Sequence, residues 1–281
     1  IFDTLQEPAI LAAYLSSMVV FAFGMWDDYK GISPLVKICG QVIAALLLIW
    51  LGVSVRVFES PAFFFYFPGS VGVFLDSLLT VLWVVGITNA FNFVDSMDGL
   101  AVGLGGVAAA FFMLVMLDAN QIALSQHSAV ILGICFGLYF FNAPPAHLFL
   151  GDSGAQTLGF TLAALGIAYV PKGVYQTSSW VVPILLLGVP IFDMVLVIFS
   201  RLRRKRPVYE AAKDHTYHRL VHWGIDSNRV VMMMHLGALM LGCLAAISLT
   251  QIPLIANGIF LLVIVLGGLL IIYLDQRKRW P

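Results

Sequence analysis

The stretch Ala9-Ile10-Leu11-Ala12-Ala13-Tyr14-Leu15-Ser16-Ser17-Met18-Val19-Val20-Phe21-Ala22-Phe23-Gly24-Met25-Trp26-Asp27-Asp28 decides how this chain is to be read. The run Ala9–Trp26 carries no charge, and its length falls in the roughly 17–25 residues that a helix needs to cross a bilayer. Two adjacent aspartates close it. A carboxylate at membrane depth is costly and marks a functional position by default. Neighbouring helical residues point about 100° apart, so one of Asp27 and Asp28 can face a ligand while the other turns to a neighbour. Aspartate at a helix C-terminus also opposes the helix dipole, which favours function over a solvated helix end.

Outward from that stretch the same grammar repeats. Of 281 residues, 60% are hydrophobic and 11% are charged, against roughly 25% charged in soluble domains. Mean hydropathy is +0.96. Further apolar runs are Leu35–Val53, Val71–Thr88, Gly99–Leu117, Trp180–Phe199, Val230–Leu249 and Ile252–Leu274, with shorter ones at Ala129–Ala143 and Thr157–Pro171. The expectation is an all-α, polytopic transmembrane helix bundle of about nine spans, forming a single integral-membrane domain over residues 1–281. Thr250-Gln251-Ile252-Pro253 makes the last two spans an antiparallel hairpin. There is no internal repeat of the transporter kind. Cys39, Cys135 and Cys243 sit in apolar stretches without ligand-like spacing and read as packing residues. The formal net charge of zero selects no partner, and no nucleic acid is expected.

Basic residues orient the spans. With the Asp28 end taken as cytoplasmic and nine alternating helices, Lys30, Lys37, Arg201, Arg203, Arg204, Lys205, Arg206, Lys213, Arg219, Arg229, Arg277, Lys278 and Arg279 lie inside, 13 of the 15 basic residues. Only Arg56 and Lys172 fall outside. The long cytoplasmic loop is 201–229. Its opening run, Arg201 to Arg206, reads mainly as a topology signal that also touches anionic lipid.

Four polar stations then gather on the cytoplasmic face. Asp27-Asp28 is followed by Lys37 and Gln41, four residues apart and so on one helical face. Asn89, Asn92, Asp95 and Asp98 recur every three residues, a series that winds around a helix end, with Gly99 supplying a turn. In Asn142-Ala143-Pro144-Pro145-Ala146-His147-Leu148-Phe149-Leu150-Gly151-Asp152-Ser153-Gly154 two prolines break a helix and glycines flank Asp152, which reads as a magnesium ligand or, with Ser153, as a helix cap. Lys213-Asp214-His215-Thr216-Tyr217-His218-Arg219-Leu220 supplies donors for phosphate or sugar hydroxyls. His127 and His235 read as packing residues, and His222 is undecided. Asp76 and Asp193 are the only carboxylates deep enough to suit an ion-coupled transporter, the rival from another class; Asp193 is expected to find a cation in the Arg201 region.

Taken together, Asp27-Asp28-Tyr29-Lys30-Gly31, Lys37-x3-Gln41, Asn89-x2-Asn92-x2-Asp95-x2-Asp98-Gly99-Leu100, Phe149-x-Gly151-Asp152-Ser153-Gly154 and Asp214-His215-x2-His218-Arg219-Leu220 resemble the polyprenyl-phosphate N-acetylhexosaminyl-1-phosphate transferase superfamily. Ser96 stands where members usually have glycine. Members also begin with two further helices and a cytoplasmic loop, so the nine spans here correspond to the last nine of eleven.

The resemblance implies transfer of N-acetylhexosamine 1-phosphate from a UDP-sugar, in the first place UDP-N-acetylglucosamine, to polyprenyl phosphate. It implies release of UMP at the cytoplasmic face of a bacterial plasma membrane. It implies Mg²⁺, with Mn²⁺ as substitute, held by Asp152 with Asn92. Asp27 and Asp28 would sit at the acceptor and Lys37 would contact its phosphate. Asn89, Asn92, Asp95, Asp98 and Asn142 would bind the donor, with Phe149 stacked on uracil. His215, His218 and Arg219 would reach the diphosphate or sugar. The chemistry is expected from Asp27, Asp28, Lys37, Asp95, Asp98, His215 and His218. Partners are the UDP-sugar, the lipid phosphate and the bilayer, with a homodimer left open. Within the class the runner-up donor is UDP-MurNAc-pentapeptide, although that branch usually carries consecutive histidines where this chain has His215-Thr216-Tyr217-His218.

Overall fold

The computed structural model describes residues 3–60, 65–171, 180–207 and 214–276. Lys172, Lys213, Arg277, Lys278 and Arg279, which entered the orientation count, lie outside these residues. The described chain is helical throughout: α1 (Asp3–Lys30), α2 (Pro34–Trp50), α3 (Ser70–Val94), α4 (Leu100–Asp118), α5 (Ile122–Asn142), α6 (Gly151–Ala168), α7 (Val181–Leu186), α8 (Gly188–Arg203), α9 (Thr216–His222), α10 (Ser227–Leu249) and α11 (Pro253–Gln276). Short connections force consecutive long helices to reverse direction. The ends of α1, α3, α5, α8 and α11 therefore share one end of the bundle with the starts of α2, α4, α6 and α10.

All nine apolar runs fall in helices. Six helices (α1, α3, α4, α5, α10 and α11) are long and apolar enough to cross a membrane by length and composition, and α2 is a shorter apolar helix. α6 is more polar because Asp152, Ser153 and Gln156 occupy its first turns. The seventh run departs from the expected single helix, since Trp180–Phe199 is divided between α7 and α8 at Leu187. The cause is Pro190, which lacks an N–H and whose ring would strike the carbonyl of Leu186 four residues earlier. α5 begins at Ile122, seven residues before the run read from the sequence. Its polar first turns are absorbed by partners: Ser125 donates to the Met113 carbonyl at 2.9 Å, and His127 Nδ1 meets the Tyr14 hydroxyl at 2.8 Å.

At the end opposite the acidic stations, Asp76 is buried in α3 and its carboxylate accepts from the amides of Val57, Phe58 and Glu59 at 2.8, 2.9 and 3.1 Å. These bonds offset its desolvation and fix the loop after α2. Asp76 is thus a structural anchor, which removes one of the two carboxylates the transporter reading needed.

α6 is the axle of the assembly, packed between α1 and α3. A Cβ at Gly24 of α1 would lie 2.5 Å from Ser153 Cα, and one at Gly159 of α6 would lie 2.8 Å from Phe91 Cβ and 3.0 Å from the Ile87 carbonyl oxygen of α3. Small residues let membrane helices approach backbone to backbone in this way. Gly24→Ala should therefore lower the thermal stability of the detergent-solubilised chain by about 1–3 kcal/mol through overpacking. Gly137→Ala, where an added Cβ meets nothing within 4 Å, should be neutral or mildly stabilising, and equal melting temperatures for the two variants would contradict this packing.

Candidate active site

α1 ends where Gly31 turns the chain at φ +62° and its amide bonds the Asp27 carbonyl at 2.8 Å. Asp27 Oδ1 accepts from the Ile32 amide at 2.7 Å, which aims Oδ2 across the turn at Lys37 Nζ in α2. The same ammonium donates to Asp152 Oδ2 at 2.6 Å. Carboxylates from α1 and α6 thus converge on one cation. Behind Asp152 runs a ladder of amides: Gln156 Nε2 donates to Asp152 Oδ2 at 3.1 Å, Gln41 Nε2 to Gln156 Oε1 at 2.9 Å, and Asn89 Nδ2 to Gln41 Oε1 at 2.6 Å. Asn89, expected at the substrate, is used to brace this ladder.

Asp28 does something different. Its carboxylate accepts from the Asp152 amide at 2.7 Å, the Ser153 amide at 3.0 Å and the Ser153 hydroxyl at 2.6 Å. It caps the N-terminus of α6 from another helix, satisfying amides that have no partner within α6 and placing negative charge at the positive end of the dipole. Gly151 admits it, with φ +65° and a hypothetical Cβ only 2.8 Å from Asp28 Oδ2. The cap that the sequence offered to Ser153 or Asp152 is therefore supplied by Asp28.

Beside this centre lies a small open pocket lined by Asp95, Ser96, Met97, Asp98, Asn142 and Phe149. Gly99, at φ +74°, turns α3 into α4. Asn142 clamps that corner to the 143–150 segment, accepting from the Gly99 amide at 3.1 Å and donating to the Leu148 carbonyl at 2.8 Å. Asp98 Oδ2 accepts from the Ala146 amide at 3.0 Å. Phe149 is 72% exposed, an aromatic face turned outward at the rim. Asn92 sits half-buried on α3, one turn before the corner, and is not part of this lining. Burial, and then the negative charges of Asp152 and Asp28, push the Asp95 carboxyl up to about 7.

The last station meets the corner from the other side. Tyr217 donates its hydroxyl to the Phe93 carbonyl at 2.7 Å, and the His215 ring stacks on Tyr217 with centroids 5.2 Å apart. His218 packs on Tyr217 at 4.5 Å. Asp193 is fully buried and pairs with His215 Nδ1 at 2.7 Å, whereas the expected partner Arg201 forks onto Asp214 at 3.0 and 2.8 Å. Arg219 is not brought to the site. It is 0% exposed, and its guanidinium donates to the Asp214 carbonyl at 2.7 Å, the Ser200 hydroxyl at 2.9 Å and the Leu274 carbonyl at 3.1 Å. Arg203 and Arg204 pair with Asp275 at 2.7 and 3.0 Å, so much of the basic run ties α8 to the end of α11. Sequence reasoning missed Gln156 and Asp275. Gln156 had a signal, since it lies four residues from Asp152 and shares its helical face.

Fold and cleft together define an integral-membrane helical protein with an acidic, lysine-bridged site at one end of its bundle. The chain belongs to glycosyl transferase family 4, which matches residues 10–170 and so takes in the acidic stations up to Asp152. It is 32% identical to the probable undecaprenyl-phosphate N-acetylglucosaminyl 1-phosphate transferase of Bacillus subtilis, over 82% of this chain and 63% of that protein. It is also 32% identical to the decaprenyl-phosphate N-acetylglucosaminephosphotransferase of Mycobacterium leprae, over 97% of this chain and 72% of that one. A phospho-N-acetylmuramoyl-pentapeptide-transferase of Levilactobacillus brevis is 33% identical over 52% of this chain and 47% of its own length.

The raised Asp95 value has a measurable consequence. The folded state holds the proton more tightly than the unfolded chain, whose carboxyl titrates near ~3.9. Asp95 therefore adds stability in acid that is lost as pH rises toward about 7, where it ionises in the fold. Asp95→Asn keeps a neutral group at every pH, so its melting temperature should gain on the parent's as pH rises from about 4 to about 8. Parallel pH profiles for parent and variant would contradict the assignment.

Proposed function

We propose that the protein transfers N-acetylhexosamine 1-phosphate from UDP-N-acetylglucosamine to polyprenyl phosphate, releasing UMP. The observation that carries this reading is the convergence of Asp27 and Asp152 on Lys37 beside a pocket with an outward aromatic rim. That is a meeting place for two anions held through cations. The N-acetylglucosamine phosphate transferases named above support the donor and the lipid acceptor. Muramoyl-pentapeptide relatives of comparable coverage are less identical, 29% over 80% of this chain and 26% over 79%, against 32% for the N-acetylglucosamine relatives, which supports N-acetylglucosamine over the larger donor. The bias of basic residues toward the acidic end supports a site at the cytoplasmic face of a bacterial membrane.

In the reaction an oxygen of the lipid phosphate attacks the phosphorus that carries the sugar. The bond from that phosphorus to the bridging oxygen breaks, and UMP departs with the electron pair. A phosphate monoester with a second pKa near ~6 is largely dianionic at neutral pH, so the task is alignment and charge neutralisation more than base catalysis. In this account Lys37 leaves one of its carboxylate partners to hold the acceptor phosphate. Asp28 keeps α6 in register, so that Asp152 stays opposite Asp27. Asp95, Asp98 and Asn142 shape the nucleotide pocket, Phe149 stacks on uracil, and His215 and His218 reach the diphosphate.

Among the described residues no three His, Cys, Asp or Glu side chains form a cage for a metal. Mg²⁺ does not require one, because it takes one or two carboxylates and completes its shell with phosphate oxygens and water. Asp152 and Asp27, all-oxygen donors already aimed at a common cation, fit it. When bound, Mg²⁺ would neutralise the diphosphate oxygens as charge builds on them.

The full chain in detergent, given UDP-N-acetylglucosamine, undecaprenyl phosphate and Mg²⁺, should release UMP and form a lipid-linked diphosphate sugar, and EDTA should stop it. Asp152→Asn should lower kcat by at least about 100-fold with little change in melting temperature. Release of UDP, or an Asp152→Asn variant with unchanged rate and metal dependence, would contradict the proposal.

A further inference from the structure

Asp193 is fully buried in α8, where an unpaired carboxylate would be prohibitively desolvated. Both of its oxygens are occupied, and both partners belong to the start of α9. Oδ2 meets His215 Nδ1 at 2.7 Å, and Oδ1 accepts from the Thr216 amide at 2.6 Å. An ionised carboxylate only accepts, and with Asp193 in that form the proton of the first contact sits on His215 Nδ1. Nε2 is then the nitrogen left for a ligand. The ring has little freedom to choose otherwise. It stacks on Tyr217 at an interplanar angle of 11°, meets the edge of Phe93 at 5.6 Å, and Tyr217 is itself bonded to the Phe93 carbonyl. Phe93 lies two residues before Asp95, which lines the pocket.

We infer that Asp193 is a positioning residue: through His215 it fixes which imidazole nitrogen is left for a ligand, and through Thr216 it holds the start of α9 against α8. Its effect on turnover rests on the function proposed above; its effect on the imidazole does not. A carboxylate behind a histidine sets the tautomer of the working nitrogen. It also stabilises the ring should Nε2 take up a proton from, or share one with, a phosphate oxygen.

Asp193→Asn separates this role from mere helix capping. The Thr216 amide needs an acceptor, so the asparagine carbonyl must stay on that side and its NH₂ must face His215. Nδ1 then has to accept, which moves the ring proton to Nε2 while every contact is kept. The experiment is magic-angle-spinning NMR of the full chain labelled with ¹⁵N-histidine, with the His215 signals identified by their loss in His215→Gln. The parent should show a protonated Nδ1 engaged with a carboxylate, and Asp193→Asn a protonated Nε2 with bare Nδ1. With a melting temperature within a few degrees of the parent, the variant should lose about 100-fold or more in kcat with less than about threefold change in KM for polyprenyl phosphate.

An unprotonated Nδ1 in the parent overturns the inference, and that spectrum needs no variant to fold. A swapped tautomer with unchanged kcat overturns the functional half. If the parent fails to turn over UDP-N-acetylglucosamine, the proposed function falls, while the spectra still decide whether Asp193 sets the tautomer.

Discussion

The acidic end of the bundle depends on the contact between the Asp28 carboxylate and the first turn of α6. Three hydrogen bonds, from the Asp152 amide, the Ser153 amide and the Ser153 hydroxyl, tie the C-terminus of one membrane helix to the N-terminus of another. Asp28 thereby relieves two local conflicts at once. A negative charge at the C-terminal end of α1 opposes that helix's dipole, and the same charge at the N-terminal end of α6 complements the other. The contact is admitted by glycine at Gly24 and Gly151, where a Cβ would strike Ser153 or Asp28. Once it forms, Asp152 has one direction left, toward Lys37 and Asp27.

Repetition of this device makes the site a unit rather than a set of neighbours. Asp193 treats the start of α9 as Asp28 treats that of α6, with a carboxylate from one helix accepting an amide from the next. Asn142 and Asp98 bind the amides of Gly99 and Ala146 at the corner between them. The side chains of the site are thus held by one another's helices, and each of these contacts closes on backbone N–H groups that a membrane environment would otherwise leave unsatisfied. The buried cluster of Arg219, Ser200 and Asp275 extends this logic to α11.

The helical architecture and the stations that line the cleft were legible in the sequence because each rests on a local signal. Apolar length gave the spans, Gly99 and Gly151 the corners, Asp27, Lys37, Asp95, Asp98 and Asp152 stood out as polar residues at the ends of apolar helices, and Phe149 stood out through the motif it shares with Gly151 and Asp152. What was not legible depends on distant pairing. Nothing in the spacing of Asp27-Asp28 says which one caps a helix some 120 residues away. Arg219 beside His218 reads like a phosphate ligand, until the ends of α8 and α11 close over it. Asp193 was expected near Arg201, one helical stretch away, and found His215 because Asp214 already holds Arg201. The break at Leu187 was written in Pro190 but masked by the continuous hydrophobicity around it.

In the proposed reaction Asp28 works by holding α6 in place, not by removing a proton. A pH–rate profile of Asp28→Asn in detergent, with saturating UDP-N-acetylglucosamine and undecaprenyl phosphate, tests it directly. A lost base should be rescued as the acceptor becomes fully dianionic, and with an acceptor pKa near ~6 that rescue would be almost complete by about pH 8. The rate should instead stay depressed up to about pH 9, because the missing contacts with α6 do not return with alkali. Recovery to near the parent's rate above about pH 8 would contradict it.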